Sequence, residues 1–240
     1  MLQILQILDL LAVALTCVAL IFLSITDTKY RTVPGEGVIA LLIGGVILTF
    51  IRFILGNEQV VMTVEASLFL AGIITLTMSA LVRFSGMVGI GDVLTVLAVS
   101  LMVPYSPLGL RVRMFPAIIP ITTVLSVVMI YLKIRNSTMF MKDFPSGFKR
   151  VIRRKASELK KMNVLTEYPV YIEGLGYVYE KVFNGSPVKN TIDLIKSVPD
   201  DAIVYTTPNF PFVYYFTISF ILVIGATLML GIMELLGVIG

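Results

Sequence analysis

Residues 5–26, LQILDLLAVALTCVALIFLSIT, contain a single charged residue, Asp9. About 20 predominantly apolar residues cross the hydrocarbon layer of a bilayer as a helix, so this stretch alone predicts a membrane span. It does not read as a cleaved signal peptide. No basic region precedes it, it is longer than an h-region, and no small-x-small site follows. Five more apolar segments lie further along the chain, at 38–55, 62–82, 91–103, 115–134 and 212–236. The fourth is short because Pro104 and Pro107 interrupt it, and it begins at Gly91-Asp92, which predicts that this end is recessed in the membrane.

The composition agrees. Of the 240 residues 57% are hydrophobic and only 14% charged, against about 25% charged in a soluble domain. The expected fold is therefore mainly α: a polytopic membrane protein with six transmembrane helices and a small α+β domain between helices five and six. Its divisions are 1–134 (helices one to five), 135–211 (the α+β domain) and 212–240 (helix six). Lys and Arg set the expected orientation. Sixteen of the 19 lie at the end of the spans that also bears the large loop, which predicts a cytoplasmic loop and extracytoplasmic termini. The short loops alone divide evenly, so the long loop carries this assignment.

Within the loop, 148–162 is strongly basic. Phe148, Val151, Ile152, Leu159 and Met162 fall at helical spacing, which predicts an amphipathic helix lying in anionic headgroups. Nothing around it resembles a nucleic-acid-binding module. Downstream, 169–172, 177–183 and 202–206 read as strands, and 191–198 as a short helix capped by Asn190 or Thr191.

Histidine is absent and Cys17 is the only cysteine. Ser-His-Asp and Cys-His catalysis, His-ligated metals and disulfides within the chain are thereby excluded. No cofactor or metal is expected, and any acid–base chemistry falls to carboxylates, lysines or tyrosines. Acidic residues in spans are costly. Asp9 and Glu234 lie near span ends and read as solvated. Asp27 ends the first span and Asp92 begins the fourth, so any six-span threading puts both at one membrane face. Two adjacent carboxylates do not both ionise readily at neutral pH, so one serves as base and the other as acid. This is aspartyl-protease chemistry.

Asp27 opens Asp-x-x-x-Arg-x-Val-Pro, with Lys29, Arg31, Val33 and Pro34, and Asp92 closes Gly89-Ile90-Gly91-Asp92. The two segments resemble the catalytic motifs of type IV prepilin peptidases, the second being their GxGD motif. The long fifth loop and the approach Tyr205-Thr206-Thr207-Pro208-Asn209-Phe210-Pro211 resemble the archaeal preflagellin (archaellin) branch. The resemblance implies that Asp27 and Asp92 are catalytic, supported by Gly89, Gly91, Arg31 and Pro34. It also implies cleavage of class III signal peptides, between a basic leader and an apolar helix, on the cytoplasmic face. The sequence departs from the family at Leu94, where Lys is frequent, and at Gly35, where Asn is common. The bacterial zinc segment and methyltransferase domain are missing, so N-methylation is not implied.

Presenilin-like proteases share GxGD, but here Thr26 precedes Asp27 and the nearest late motif is Pro116-Ala117-Ile118. A small cation or proton transporter using the same acids is the other class of reading. Transporters place such acids near the midplane of repeated halves, and no repeat is visible. Two expectations concern substrate. A basic leader wants an acidic receptor, for which Asp193, Asp200 and Asp201 are candidates, together with Glu167, Glu173 and Glu180. Gly86, Gly89 and Gly91 mark a hinge that brings the aspartates together when substrate binds.

Overall fold

The computed structural model describes residues 2–30, 33–56, 58–85, 90–103, 118–140, 150–162, 166–178 and 187–236. The chain divides into two compact units, Met1–Val128 with Pro211–Gly240, and Met129–Phe210. The first unit is helical: α1 (Leu2–Tyr30), α2 (Gly35–Leu55), α3 (Glu58–Ser85), α4 (Ile90–Met102), the start of α5 (Ile118–Ser137), and α8 (Phe212–Leu235). Five of these helices are long and apolar enough to cross a membrane, and α4 is a shorter apolar helix. The protein is a multi-pass membrane protein.

Each long helix turns apolar side chains outward and buries a narrow stripe. In α2 the stripe is Val38, Leu41, Gly45, Thr49 and Arg52, at spacings of three and four, which is one helical face. That face receives α4. A β-carbon on Gly45 would lie 2.6 Å from Cβ of Leu101, so the two backbones meet where only glycine fits. Gly45→Ala is expected to cost about 1–3 kcal/mol through overpacking, read as a lower unfolding midpoint in detergent. An unchanged midpoint would contradict so close an approach.

The same contacts fix the level of α4. Gly91 sits against Val33, just before α2 begins, whereas Leu101 meets Gly45 near the middle of α2. The helices run parallel, and relative to α2 the shortfall of α4 is at its C-terminal end. The prolines after Val103 remove backbone donors, which stops α4 halfway along its neighbour.

Helix α8 runs antiparallel to α1. Phe212, Phe216 and Phe220 recur every four residues and are wholly buried, with rings 5.9 and 6.5 Å apart in succession. The Thr217 hydroxyl, bonded to the carbonyl of Val213 in its own helix at 2.7 Å, also lies 3.2 Å from the carbonyl of Leu20 in α1.

The second unit is a small antiparallel sheet with two helices. Strands β1 (Met139–Phe140), β2 (Arg150–Lys155), β3 (Glu167–Ile172), β4 (Gly176–Tyr177) and β5 (Ile203–Pro208) lie in the order β1-β2-β5-β3-β4. Helices α6 (Ala156–Lys161) and α7 (Pro187–Ser197) supply Ala156, Leu159 and Ile195, which pack with Ile172, Val178, Val198 and Val204 into one core. The turn from β3 to β4 places Gly174 at φ 87°, a left-handed conformation natural to glycine.

Three local expectations change here. The basic segment is not one amphipathic helix: 150–155 is a strand and only 156–161 is helical. Ile152, Arg153, Arg154 and Lys155 pair with Thr206, Tyr205, Val204 and Ile203. β-Branched residues in a half-buried ladder outweigh an apolar spacing that also happened to suit a helix. Residues 148 and 149 lie outside the described residues, as does most of the expected strand 177–183. Helix α7 begins at Pro187 rather than at a cap on Asn190 or Thr191; proline is well suited to a first helical position.

Asp9 is the third. It is not solvated: it is 2% exposed and pairs with Arg52, also 2% exposed, at 2.6 Å. A guanidinium from α2 reaches it before water can. The side chain of Glu234 lies outside the description.

Candidate active site

Asp27 lies in the last turn of α1 and is 5% exposed. Its Oδ2 accepts the backbone N–H of Val213 at 3.0 Å. Val213 is the second residue of α8, and the first N–H groups of a helix have no partner within it. A carboxylate at that position satisfies one of them and meets the positive end of the helix dipole. The last span thus supplies a donor to the first acid.

Asp92 is the third residue of α4 and is 8% exposed. Its neighbour Gly91 faces the loop after α1: a β-carbon there would lie 3.4 Å from Cβ of Val33. Val33-Pro34 belongs to the first motif and Gly91-Asp92 to the second, so the two motifs touch. Pro34 is the extended residue that caps α2, and its carbonyl receives the N–H of Val38 at 3.4 Å.

Two junctions are thus defined: the C-terminus of α1 meets the N-terminus of α8 at Asp27 and Val213, and Gly91 of α4 lies beside Val33. Each contributes something a hydrolytic site can use. Two buried carboxylates come from α1 and α4, and α8 contributes a backbone donor. The methyl-sized space beside Gly91 is ordinary contact distance, and the glycine is helical, without a positive φ. Its lack of a side chain is therefore not required by the packing against Val33. Arg31, Gly86 and Gly89 lie outside the described residues.

The contribution of α8 was missed in the sequence. The available signal was Pro211, which stops the incoming chain one residue before α8 and leaves the first N–H groups of that helix exposed to a neighbour.

The candidate leader-binding acids belong to the second unit. Asp193 is exposed on α7, and Asp200 and Asp201 are exposed in the turn before β5. Asp200 already faces Lys160 Nζ at 2.6 Å, and that ammonium holds its carboxyl below the usual carboxylate range. Glu167 is mostly buried and engaged twice, accepting from Arg154 at 3.1 Å and from Thr206 at 2.7 Å. It is therefore no part of an exposed acidic surface. Glu173 is exposed and accepts from the Tyr205 hydroxyl at 3.1 Å. Glu180 lies outside the described residues.

The family model described as the type IV leader peptidase family aligns with residues 14–133. That region contains the greater part of α1, all of α2, α3 and α4, most of α5, both aspartates and both motifs. No curated protein and no solved structure matches the chain. The aligned region is half of the 240 residues, and the chain belongs to the type IV leader peptidase family.

Proposed function

We propose that this membrane protease is an aspartyl endopeptidase that cleaves class III signal peptides of preflagellins or prepilins at the cytoplasmic face of the cell membrane. The observation that supports the reading is that Asp27 and Asp92 are both buried acids, with Val33 of the first motif beside Gly91 of the second.

In this mechanism the two carboxylates hold one proton between them. The ionised member takes a proton from water as the water oxygen bonds to the scissile carbonyl carbon. The protonated member gives its proton to the carbonyl oxygen. Collapse of the tetrahedral intermediate breaks the C–N bond: the leaving nitrogen takes a proton from one carboxyl while a hydroxyl of the intermediate gives its proton to the other, so the pair again holds one proton.

The substrate's apolar helix lies in the bilayer and its basic leader outside it. Asp193, Asp201 and Glu173 are the exposed acids that would face such a leader, and Asp200 contributes less because Lys160 already balances it. Arg153, Lys155 and Lys161 are exposed and suit anionic headgroups.

The test is cleavage in membranes of a preflagellin with a basic leader. Expected is a single cut between leader and helix. Reversing Asp193 and Asp201 to Lys should raise KM several-fold for basic leaders only. A chain that leaves every class III leader intact would overturn the proposal. An unchanged KM would remove the acidic receptor alone.

A further inference from the structure

Helix α4 has 13 residues, about 20 Å at 1.5 Å per residue, against about 30 Å of hydrocarbon. Its C-terminal end meets Gly45, ten residues before α2 ends at Leu55. The last carbonyls of any helix lack partners within it, and inside an apolar layer water does not supply them. Here one side chain does: Arg52 Nη1 donates to the carbonyl of Leu101 at 3.2 Å and Nη2 to that of Met102 at 2.9 Å. Thr49 adds a longer contact to Leu101 at 3.4 Å.

The orientation of Arg52 is informative. Helical side chains lean toward the N-terminus of their helix, and Arg52 reaches back along α2, away from the nearer end. Asp9 receives both Nε, at 2.9 Å, and Nη2, at 2.6 Å, through the same oxygen, Oδ1. A fork-to-fork pair would use both carboxylate oxygens. This one turns the guanidinium so that its remaining donors meet the end of α4. Asp9 neutralises the charge, and Arg52 holds the helix.

We infer that Arg52, balanced by Asp9, is a positioning residue that fixes the level of α4 and so the place of Asp92 at its other end. The inference rests on the reading of Asp92 as catalytic. Leu101 and Asp92 are nine residues apart, about 14 Å along one short helix. Six of the eight residues between them are buried, so a shift at the capped end is passed to the acid. Lysine cannot replace the cap, because its ammonium is a single point and cannot span Asp9 and two carbonyls.

The experiment uses the full chain in liposomes and two double variants that leave no lone buried charge. Asp9→Leu with Arg52→Met removes both charge and cap. Asp9→Asn with Arg52→Gln removes charge but keeps an amide donor for the carbonyls. Expected is at least a tenfold fall in kcat for the apolar pair, with KM within about twofold, and partial recovery in the amide pair.

A second arm needs no catalysis. Val33→Cys and Gly91→Cys, with Cys17→Ser, place two thiols at a separation suited to a disulfide. Their crosslinking should fall several-fold when the apolar pair is added and return with the amide pair. Equal crosslinking in all three backgrounds, or wild-type kcat in a folded apolar pair, overturns the inference. Failure of the wild type to cleave any leader instead overturns the protease reading, and the crosslinking result still decides the positioning role.

Discussion

Asp27→Asn is expected to fold as the wild type does and to lose at least about a hundredfold in cleavage rate, the low end of what a general acid or base contributes. The amide oxygen of asparagine still accepts the N–H of Val213, now bonded by Oδ2 at 3.0 Å, so the junction of α1 with α8 survives. What disappears is the ionisable group. Asp27→Ala removes the acceptor too and leaves a buried N–H unpaired, at a further cost of about 1–3 kcal/mol. Comparing the two variants by unfolding midpoint and by cleavage separates the two tasks of this side chain. If Asp27→Asn cleaves normally, Asp27 is a helix cap and nothing more.

The second large effect is on stability. Arg52→Met alone leaves Asp9 as a charge with no cation, at a position 2% exposed. Breaking one side of a buried pair typically costs about 3–5 kcal/mol. Adding Asp9→Leu removes the stranded charge and should recover a large part of that loss, although the Leu101 and Met102 carbonyls stay uncapped. Unfolding midpoints in one detergent give the order: wild type highest, the double variant next, the single variant lowest. A single variant as stable as the wild type would show that Asp9 finds water or protonates without penalty.

Much of this was legible in the sequence because the bilayer simplifies the reading. Long apolar runs have few alternatives: 5–26 and 38–55 are helical throughout, and 212–236 is helical to Leu235. The expectation that Asp27 and Asp92 share a face rests on counting spans. What stayed hidden depends on contacts between distant segments. Asp9 and Arg52 each look like a span-end residue near headgroups, and only the packing of α1, α2 and α4 brings them together. The Val213 donor to Asp27 is a backbone group, marked in the sequence only indirectly, by Pro211 before α8.

The misreading of 150–155 has another cause. A short stretch containing Val151 and Ile152 among basic residues fits both periodicities, and the decision lies in β5, some fifty residues away. Local spacing could not contain it. The shortfall of α4 against α2 at its C-terminal end was hidden for a related reason. The polar Gly91-Asp92 pair drew attention, while the capped end is marked only by an arginine in another helix.

The central claim is that Asp27 and Asp92 act as one acid–base unit. The most direct measurement is kcat for leader cleavage by wild type, Asp27→Asn, Asp92→Asn and the double variant, all confirmed as folded. Members of one catalytic unit are grossly non-additive. The account predicts that each single variant is inactivated to nearly the same residual rate and that the double variant is no slower than either. Near-wild-type cleavage by one single variant, or losses that multiply in the double, would contradict it.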